Sequence, residues 1–188
     1  MNKSKKRNNY FTYNNLNTQK ANYKSLKMNN QLKIGEGDYG KVFTIKNSKN
    51  RSNNRLVVKQ SVGYNKSMNK YYEAEIEVIK ALSKKNITAR IVYVDYENHY
   101  YVMEKMDYTL REIIKTGNFT LELGKKLINL LIRLAKTKYR HNDLHRDNIM
   151  YSVKLKDFRI IDWGIFEVLT THARFNNISS NNFCFYFL

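Results

Sequence analysis

His141-Asn142-Asp143-Leu144-His145-Arg146-Asp147-Asn148-Ile149-Met150 is the stretch that decides how the rest of the chain is read. The acidic Asp143 is followed five positions later by the amide of Asn148. Fourteen residues further on comes Asp162-Trp163-Gly164, directly after the apolar pair Ile160-Ile161. An Asp and an Asn in a loop, with a second Asp at the end of a short hairpin, can bring three oxygen ligands to one site. Hard divalent cations such as Mg²⁺ take oxygen ligands and usually bind substrate phosphates as well. Asp and Asn also occupy loops simply because their side chains cap turns, so the pattern acquires meaning only from its company upstream.

That company begins at Leu32-Lys33-Ile34-Gly35-Glu36-Gly37-Asp38-Tyr39-Gly40-Lys41-Val42-Phe43-Thr44-Ile45. Alternating apolar positions flank three glycines, which reads as strand, glycine turn, strand. The pattern is G-x-G-x-x-G-x-V, and glycine lets a backbone approach phosphate closely. A dinucleotide-binding fold uses a similar glycine pattern, but a helix follows it there. Here β-branched and aromatic residues follow, which favours two strands. Polar residues 46–55 form a turn, and Arg55-Leu56-Val57-Val58-Lys59 reads as a strand ending on a lysine. Such a lysine is usually a snorkelling surface residue. In a three-stranded sheet it can instead be aimed beneath the glycine turn.

Residues 60–70 read as a polar linker, and Tyr71 to Leu82 as a helix with Tyr72, Ile76, Ile79 and Leu82 on one face. Glu73, Glu75 and Glu77 lie in its N-terminal half, where the helix dipole favours acids. Residues 89–96 and 99–104 read as two strands around Glu97-Asn98, and 108–115 as a short amphipathic helix. The longest helical pattern runs from Thr120 to Tyr139 and feeds the Asp143 loop. Ile149-Met150-Tyr151 and Phe158-Arg159-Ile160-Ile161 read as a hairpin delivering Asp162. Val168 to Arg174 is predicted to be a short helix. The apolar end, Phe183 to Leu188, is too short to span a membrane and is expected either to pack as a strand or to mark a truncated end.

Composition bounds the setting. The 188 residues suffice for one domain or two small lobes, and 42% are hydrophobic, enough for a packed core. Proline is absent, and Asn, Lys, Ile and Tyr, all with AT-rich codons, are abundant. This predicts an AT-rich genome, such as that of a large DNA virus, a parasite or an organelle; codon usage in the source DNA tests it. The net charge is +18, and eight Lys or Arg precede the first acidic residue, Glu36, leaving +10 on the remainder. Such a balance favours an acidic or nucleic-acid partner or an anionic surface, although no nucleic-acid motif accompanies it. Residues 1–28 are too poor in apolar groups for a packed element and read as a disordered basic tail, with a weak localisation cluster at Lys3 to Arg7. The single cysteine, Cys184, rules out an internal disulfide and fits a reducing compartment. With no signal peptide and no membrane span, the protein is expected to be intracellular, in the cytoplasm or a host cell, with a virion as an alternative.

Taken together, these motifs resemble the protein kinase family over roughly residues 30–170. Gly35, Gly37, Gly40 and Val42 match the glycine-rich loop, Lys59 the strand lysine, and Glu75 its helix partner. Asp143 and Asn148 match H-R-D-L-x-x-x-N, Asp162 matches D-F-G, and Met103 to Met106 looks like the adenine-binding hinge. The resemblance implies an α+β, two-lobed fold: an antiparallel small lobe at 29–105, a shortened, mostly helical large lobe at 106–175, and a tail at 176–188. It implies ATP and Mg²⁺ as cofactors, with phosphoryl transfer to a hydroxyl, most readily a Ser or Thr of a protein substrate. By the same resemblance Asp143 and His145 are catalytic, and Asn148 and Asp162 bind metal. The nucleotide is expected against Ile34, Gly35, Glu36, Gly37, Asp38, Tyr39, Gly40, Val42, Val57, Lys59, Glu75, Met103, Glu104, Met106 and Met150.

The chain departs from the family pattern at several points. Asn142 replaces Arg, which argues against control through a phosphorylated activation loop. Trp163 replaces Phe, no A-P-E follows, and the later large-lobe helices that dock peptide in the family have no room. His145 stands where Ser/Thr kinases carry Lys, so H-N-D-L-H-R-D-N also resembles the aminoglycoside and choline kinase loops. Two alternatives therefore stay open: a small-molecule kinase of that type, and a non-catalytic, nucleotide-binding pseudokinase.

Overall fold

A computed structural model of the chain describes residues 32–37, 40–45, 55–61 and 66–170, the last from residue 70 onward with side chains. The expected N-terminal tail, Asp38, Tyr39 and the C-terminal apolar run lie outside the described residues.

Five antiparallel strands form the first layer: β1 (Lys33–Gly37), β2 (Gly40–Thr44), β3 (Leu56–Ser61), β4 (Ile91–Asp95) and β5 (Tyr100–Glu104), in the spatial order β1-β2-β3-β5-β4. Side chains of a strand alternate between faces, and the register shows what each face carries. Val42 lies opposite Lys59, and Lys59 opposite Tyr101, while Val57 lies opposite Met103. These five residues therefore share one face. Val58, Tyr100 and Val102 point the other way and build a small cluster with Ile45.

The helix α1 (Lys66–Ser83) packs on the sheet through Tyr72, Ile76, Ile79 and Leu82, a spacing of three to four residues that gives one apolar face. The Tyr72 hydroxyl donates to the carbonyls of Tyr100 (2.8 Å) and Asp95 (3.2 Å), so the helix is pinned to β4 and β5 by hydrogen bonds as well as by burial. The turn between those strands is closed by Asp95, whose carboxylate accepts the Asn98 amide at 2.9 Å.

The second part of the chain holds β6 (Tyr108–Thr109), α2 (Leu110–Lys115), α3 (Leu121–Ala135), β7 (Tyr139–Arg140), β8 (Ile149–Ser152), β9 (Asp157–Ile160) and β10 (Glu167–Val168). Thr109 and Glu112 form a reciprocal capping box at the start of α2, and the Thr120 hydroxyl caps α3. Strands β6, β8 and β9 form one small sheet, and β7 pairs with β10. One continuous core joins the two parts: Ile76, Leu82 and Ile87 belong to the same buried cluster as Leu110, Leu130, Phe158 and Trp163. The chain has the expected two-lobed architecture, an antiparallel small lobe followed by a shortened lobe carrying two helices among the described residues.

Four expectations need correction. The long helix stops at Ala135 rather than Tyr139, because Thr137 turns the chain, its hydroxyl donating to the Leu134 carbonyl, and Tyr139-Arg140 is then drawn into pairing with β10. Residues 60–70 are not all linker: Gln60 and Ser61 extend β3, and α1 starts at Lys66. Tyr108 and Thr109 are strand rather than helix. Val168 opens no helix, since Glu167–Val168 forms β10 opposite Arg140 and Tyr139; cross-strand pairing there overrides local propensity.

Candidate active site

The register of the small sheet fixes the first half of the site. Lys59 sits mid-row between Val42 and Tyr101 and points toward α1, where Glu75 faces the sheet from the same helix surface as Tyr72, Ile76 and Ile79. The Lys59 Nζ lies 2.8 Å from Glu75 Oε1 and 2.7 Å from Asp162 Oδ1. The Lys59–Glu75 ion pair that the family resemblance implies therefore forms. Burial works against a charged lysine, but the carboxylates of Glu75 and Asp162 outweigh it and hold Lys59 well above the ordinary lysine range. The Tyr101 hydroxyl donates to Glu75 Oε1 at 3.1 Å. Full burial, reinforced by the Glu75 charge, pushes the Tyr101 phenol well above its usual range, so it remains a donor. Sequence reasoning missed Tyr101; only the strand register places it beside Lys59.

The second half is a pair of loops. Asn148 and Ile149 lead into β8, and β9 delivers Asp162. The loops are stitched together where the Ile161 amide donates to the Asn148 carbonyl at 2.9 Å. His141 Nε2 lies 2.8 Å from the Ile161 carbonyl, so that nitrogen carries the proton, and the ring stands edge-on to Trp163 with centroids 4.6 Å apart. Burial depresses the His141 pKa and keeps the ring neutral. Trp163, in place of the family's Phe, is fully buried and donates its indole N–H to the Ile160 carbonyl. His141 and Trp163 thus form the packed base of the two loops, a role that no local pattern in the sequence announced.

Asn148 is buried, and its amide nitrogen is fully engaged: it lies 2.9 Å from the Asp143 carbonyl, 3.2 Å from Asp143 Oδ2 and 3.1 Å from His145 Nε2. That orientation leaves the amide oxygen available as a ligand. Asp162 likewise uses Oδ1 on Lys59, leaving Oδ2. One carboxylate oxygen and one amide oxygen fit a hard cation that completes its shell with water and phosphate. The described residues contain no cluster of three or more His, Cys, Asp or Glu that could hold a metal alone.

Asp143 and His145 are both half-exposed at the mouth of this arrangement. His145 Nε2 lies 3.6 Å from Asp143 Oδ2, and Nδ1 lies 3.6 Å from Asp147 Oδ2 and accepts from the Asp147 amide at 3.2 Å. Asp147 is in turn held by a two-pronged contact from Arg111 at 2.7 and 2.8 Å, and the Arg111 hydrogen bonds keep its carboxyl below the usual carboxylate range. The Arg111–Asp147 clamp fixes the loop to α2 and was not visible in the sequence, because the partners stand 36 positions apart.

The remaining expected nucleotide contacts divide. Val42, Val57, Lys59 and Met103 share the cleft face, with Met106 buried just beyond β5 and Met150 part-buried opposite Thr109 on β8. A Cβ built on Gly40 would stand 2.6 Å from the Gln60 carbonyl oxygen, so glycine is required there by the protein itself. Among the described residues a Cβ on Gly37 would meet nothing within 4 Å, so none of them fills that side of the glycine. Ile34 is exposed, and Glu36 is paired with Lys33 and Lys41 on the surface. Glu104 accepts from Arg90 on the edge of β5.

No helix among the described residues is long and apolar enough to cross a membrane. Comparison with curated proteins gives no match. Comparison with protein-family models matches residues 28–184 to the protein kinase domain.

Proposed function

This chain belongs to the protein kinase domain family, and from that premise we propose that it transfers the γ-phosphoryl group of ATP, with Mg²⁺, to a hydroxyl, in the first place a serine or threonine hydroxyl of a protein. The observation that carries the reading is Lys59 held between Glu75 and Asp162 at 2.8 and 2.7 Å, above a loop in which Asn148 is locked to Asp143. Phosphoryl transfer asks little covalent chemistry of the protein; positioning and charge neutralisation carry it.

Each residue then has a task. Lys59 offers an ammonium pre-aimed by two carboxylates to the phosphates of the nucleotide. Glu75, with Tyr101 behind it, keeps that ammonium in place. Asn148 and Asp162 would hold the metal through their remaining oxygens. The ion supplies neutralisation of phosphate charge when bound. Asp143 accepts a hydrogen bond from the incoming hydroxyl and orients it for in-line attack. His145, wedged between Asp143 and Asp147, positions that carboxylate.

The test is incorporation of radiolabelled phosphate from ATP into a basic protein, with Asp143→Ala as control. Label transfer that needs Mg²⁺ and vanishes in the variant supports the reading. The presence of His145 favours a second acceptor class, small hydroxyl metabolites of the aminoglycoside and choline type, and a panel of these run beside the protein substrate separates the two. Nucleotide binding without transfer to either would assign the chain to the non-catalytic members of the family.

A further inference from the structure

Helix α1 is braced to the sheet in both directions. The Tyr72 hydroxyl donates to the Tyr100 carbonyl at 2.8 Å and the Asp95 carbonyl at 3.2 Å. From the next residue of β5, the Tyr101 hydroxyl donates back to Glu75 Oε1 at 3.1 Å. Tyr72 and Glu75 stand three residues apart, on one face of the helix, and the two tyrosine rings lie with centroids 6.4 Å apart. Both phenols are buried. Burying a hydroxyl is unfavourable unless it is bonded, and phenylalanine would fill the same space, so packing alone does not call for these two oxygens. Burial, reinforced by the Glu75 charge, raises the pKa of both phenols, and both remain donors.

In protein kinases the strand lysine and the helix glutamate must be paired for transfer, and helix position and activation-loop phosphorylation control that pairing. Here the pair is already complete among the described residues, where Glu75 is held by Lys59 on β3 and Tyr101 on β5. The helix itself is buried through Ile76, Ile79 and Leu82. Apolar packing is non-directional and tolerates rotation of a helix about its axis. The two hydroxyl bonds are directional and fix that rotation, which sets where Glu75 points. Asn142 stands where the family carries the arginine directly before the catalytic Asp. We propose that Tyr72 and Tyr101 are positioning residues that hold Glu75 on Lys59 as a fixed feature of the fold. The phosphoryl transfer proposed above, on which this role rests, then needs neither phosphorylation of the chain nor a partner protein to align its lysine.

The test compares the full chain with Tyr72→Phe and Tyr101→Phe, each of which deletes one oxygen. Deuterium exchange of the α1 amides at 72–82 is followed by mass spectrometry in phosphatase-treated protein without nucleotide. The α3 amides at 127–134 serve as internal reference, and both sets are corrected for intrinsic rates. The parent α1 should exchange within a few-fold of α3, and each variant should exchange α1 roughly tenfold faster with α3 unchanged. A parent α1 that exchanges more than tenfold faster than α3, or that is better protected before phosphatase treatment than after, overturns the proposal. So does a variant that exchanges like the parent, or one that accelerates α1 and α3 alike. Transfer supplies the second readout. Both variants should lose kcat roughly tenfold with the acceptor KM near parental, while the phosphatase-treated parent keeps its rate; a lowered Tm with kcat intact marks a merely structural role and overturns the assignment. The exchange pattern without transfer to any acceptor refutes the function proposed above while supporting the brace, and transfer by a parent whose α1 exchanges freely does the reverse.

Discussion

Lys59 is anchored by two carboxylates of unequal burial, and that inequality predicts unequal consequences for stability. Glu75 is only 6% exposed at its side chain and also accepts the Tyr101 hydroxyl, whereas Asp162 is 35% exposed. Glu75→Gln removes the charge that compensates a buried ammonium and leaves a neutral amide facing both Lys59 and Tyr101. Breaking a buried pair by removing one partner costs about 3–5 kcal/mol. Asp162 still contacts Lys59 at 2.7 Å, so the lower end, about 3 kcal/mol, is expected. Asp162→Asn removes a partner that water can replace, a loss of about 0.2–1 kcal/mol. For a chain of this size each kcal/mol moves Tm by about 2–4 °C, so Glu75→Gln should melt about 6–12 °C below the parent and Asp162→Asn no more than about 4 °C below it. Urea unfolding at pH 7 and thermal melts followed by circular dichroism measure both. The pH dependence adds a sign. Lys59 is held above its unfolded value, so its contribution is complete below about pH 10.5 and is lost as pH rises through the folded pKa; Glu75→Gln should flatten that alkaline loss. If Asp162→Asn destabilises as much as Glu75→Gln, the assignment of the anchor to Glu75 is wrong.

Three further outcomes are expected. Asp143→Asn should lower turnover by orders of magnitude with ATP affinity near parental, since an orienting carboxylate acts mainly in the transition state, while Asn148→Ala should raise the Mg²⁺ requirement; full turnover in Asp143→Asn would remove Asp143 from the catalytic role. Gly40→Ala should cost about 1–3 kcal/mol, because its Cβ collides with the Gln60 carbonyl, whereas Gly37→Ala should keep the parental Tm and weaken binding of a fluorescent ATP analogue; unchanged binding would show that no phosphate approaches Gly37. His141 is buried neutral with a lowered pKa, so below about pH 6.5 the unfolded chain binds a proton that the folded chain resists, and stability should fall as pH drops through that range; urea midpoints between pH 7.5 and 5 that stay level in both parent and His141→Asn would refute it.

Most of the small lobe was legible because its signals are local. The alternation of Val57, Lys59 and the residues flanking the glycines is a period-two pattern, and the Tyr72, Ile76, Ile79 spacing is a helical one. What escaped was whatever depends on partners distant in sequence. Tyr101 reads as one more strand aromatic until the register sets it opposite Lys59. Arg111 and Asp147 each read as a solvated charge until α2 and the loop meet. The end of α3 and the strand character of Glu167–Val168 are one misjudgement seen twice: both follow from the pairing of β7 with β10, in which Arg140 also meets Glu167 at 3.1 Å. Local propensity cannot report a ladder whose two strands lie 26 or more residues apart.

The departures from family pattern are best understood through the backbone. Asn142 and Asp162 both take the left-handed conformation, with φ of 60°. Asn and Asp are the non-glycine residues that tolerate it best, so Asn142 suits the local geometry. Left-handed non-glycine residues still cost on the order of 1–3 kcal/mol each and persist only where the surroundings over-determine them. Here the surroundings do: the Ile161 amide binds the Asn148 carbonyl, His141 binds the Ile161 carbonyl, and Trp163 is sealed beneath. Two strained residues, a buried lysine between carboxylates and a buried neutral imidazole therefore converge on one loop pair. Left-handed backbone is not confined to these loops, since Asn86, His99 and Lys156 adopt it in turns elsewhere, while helix caps and apolar faces follow ordinary rules. What sets the loop pair apart is the buried lysine held between two carboxylates, a place where side chains are aimed rather than merely packed, and this supports the proposal that the chemistry lies between Lys59, Asp143, Asn148 and Asp162.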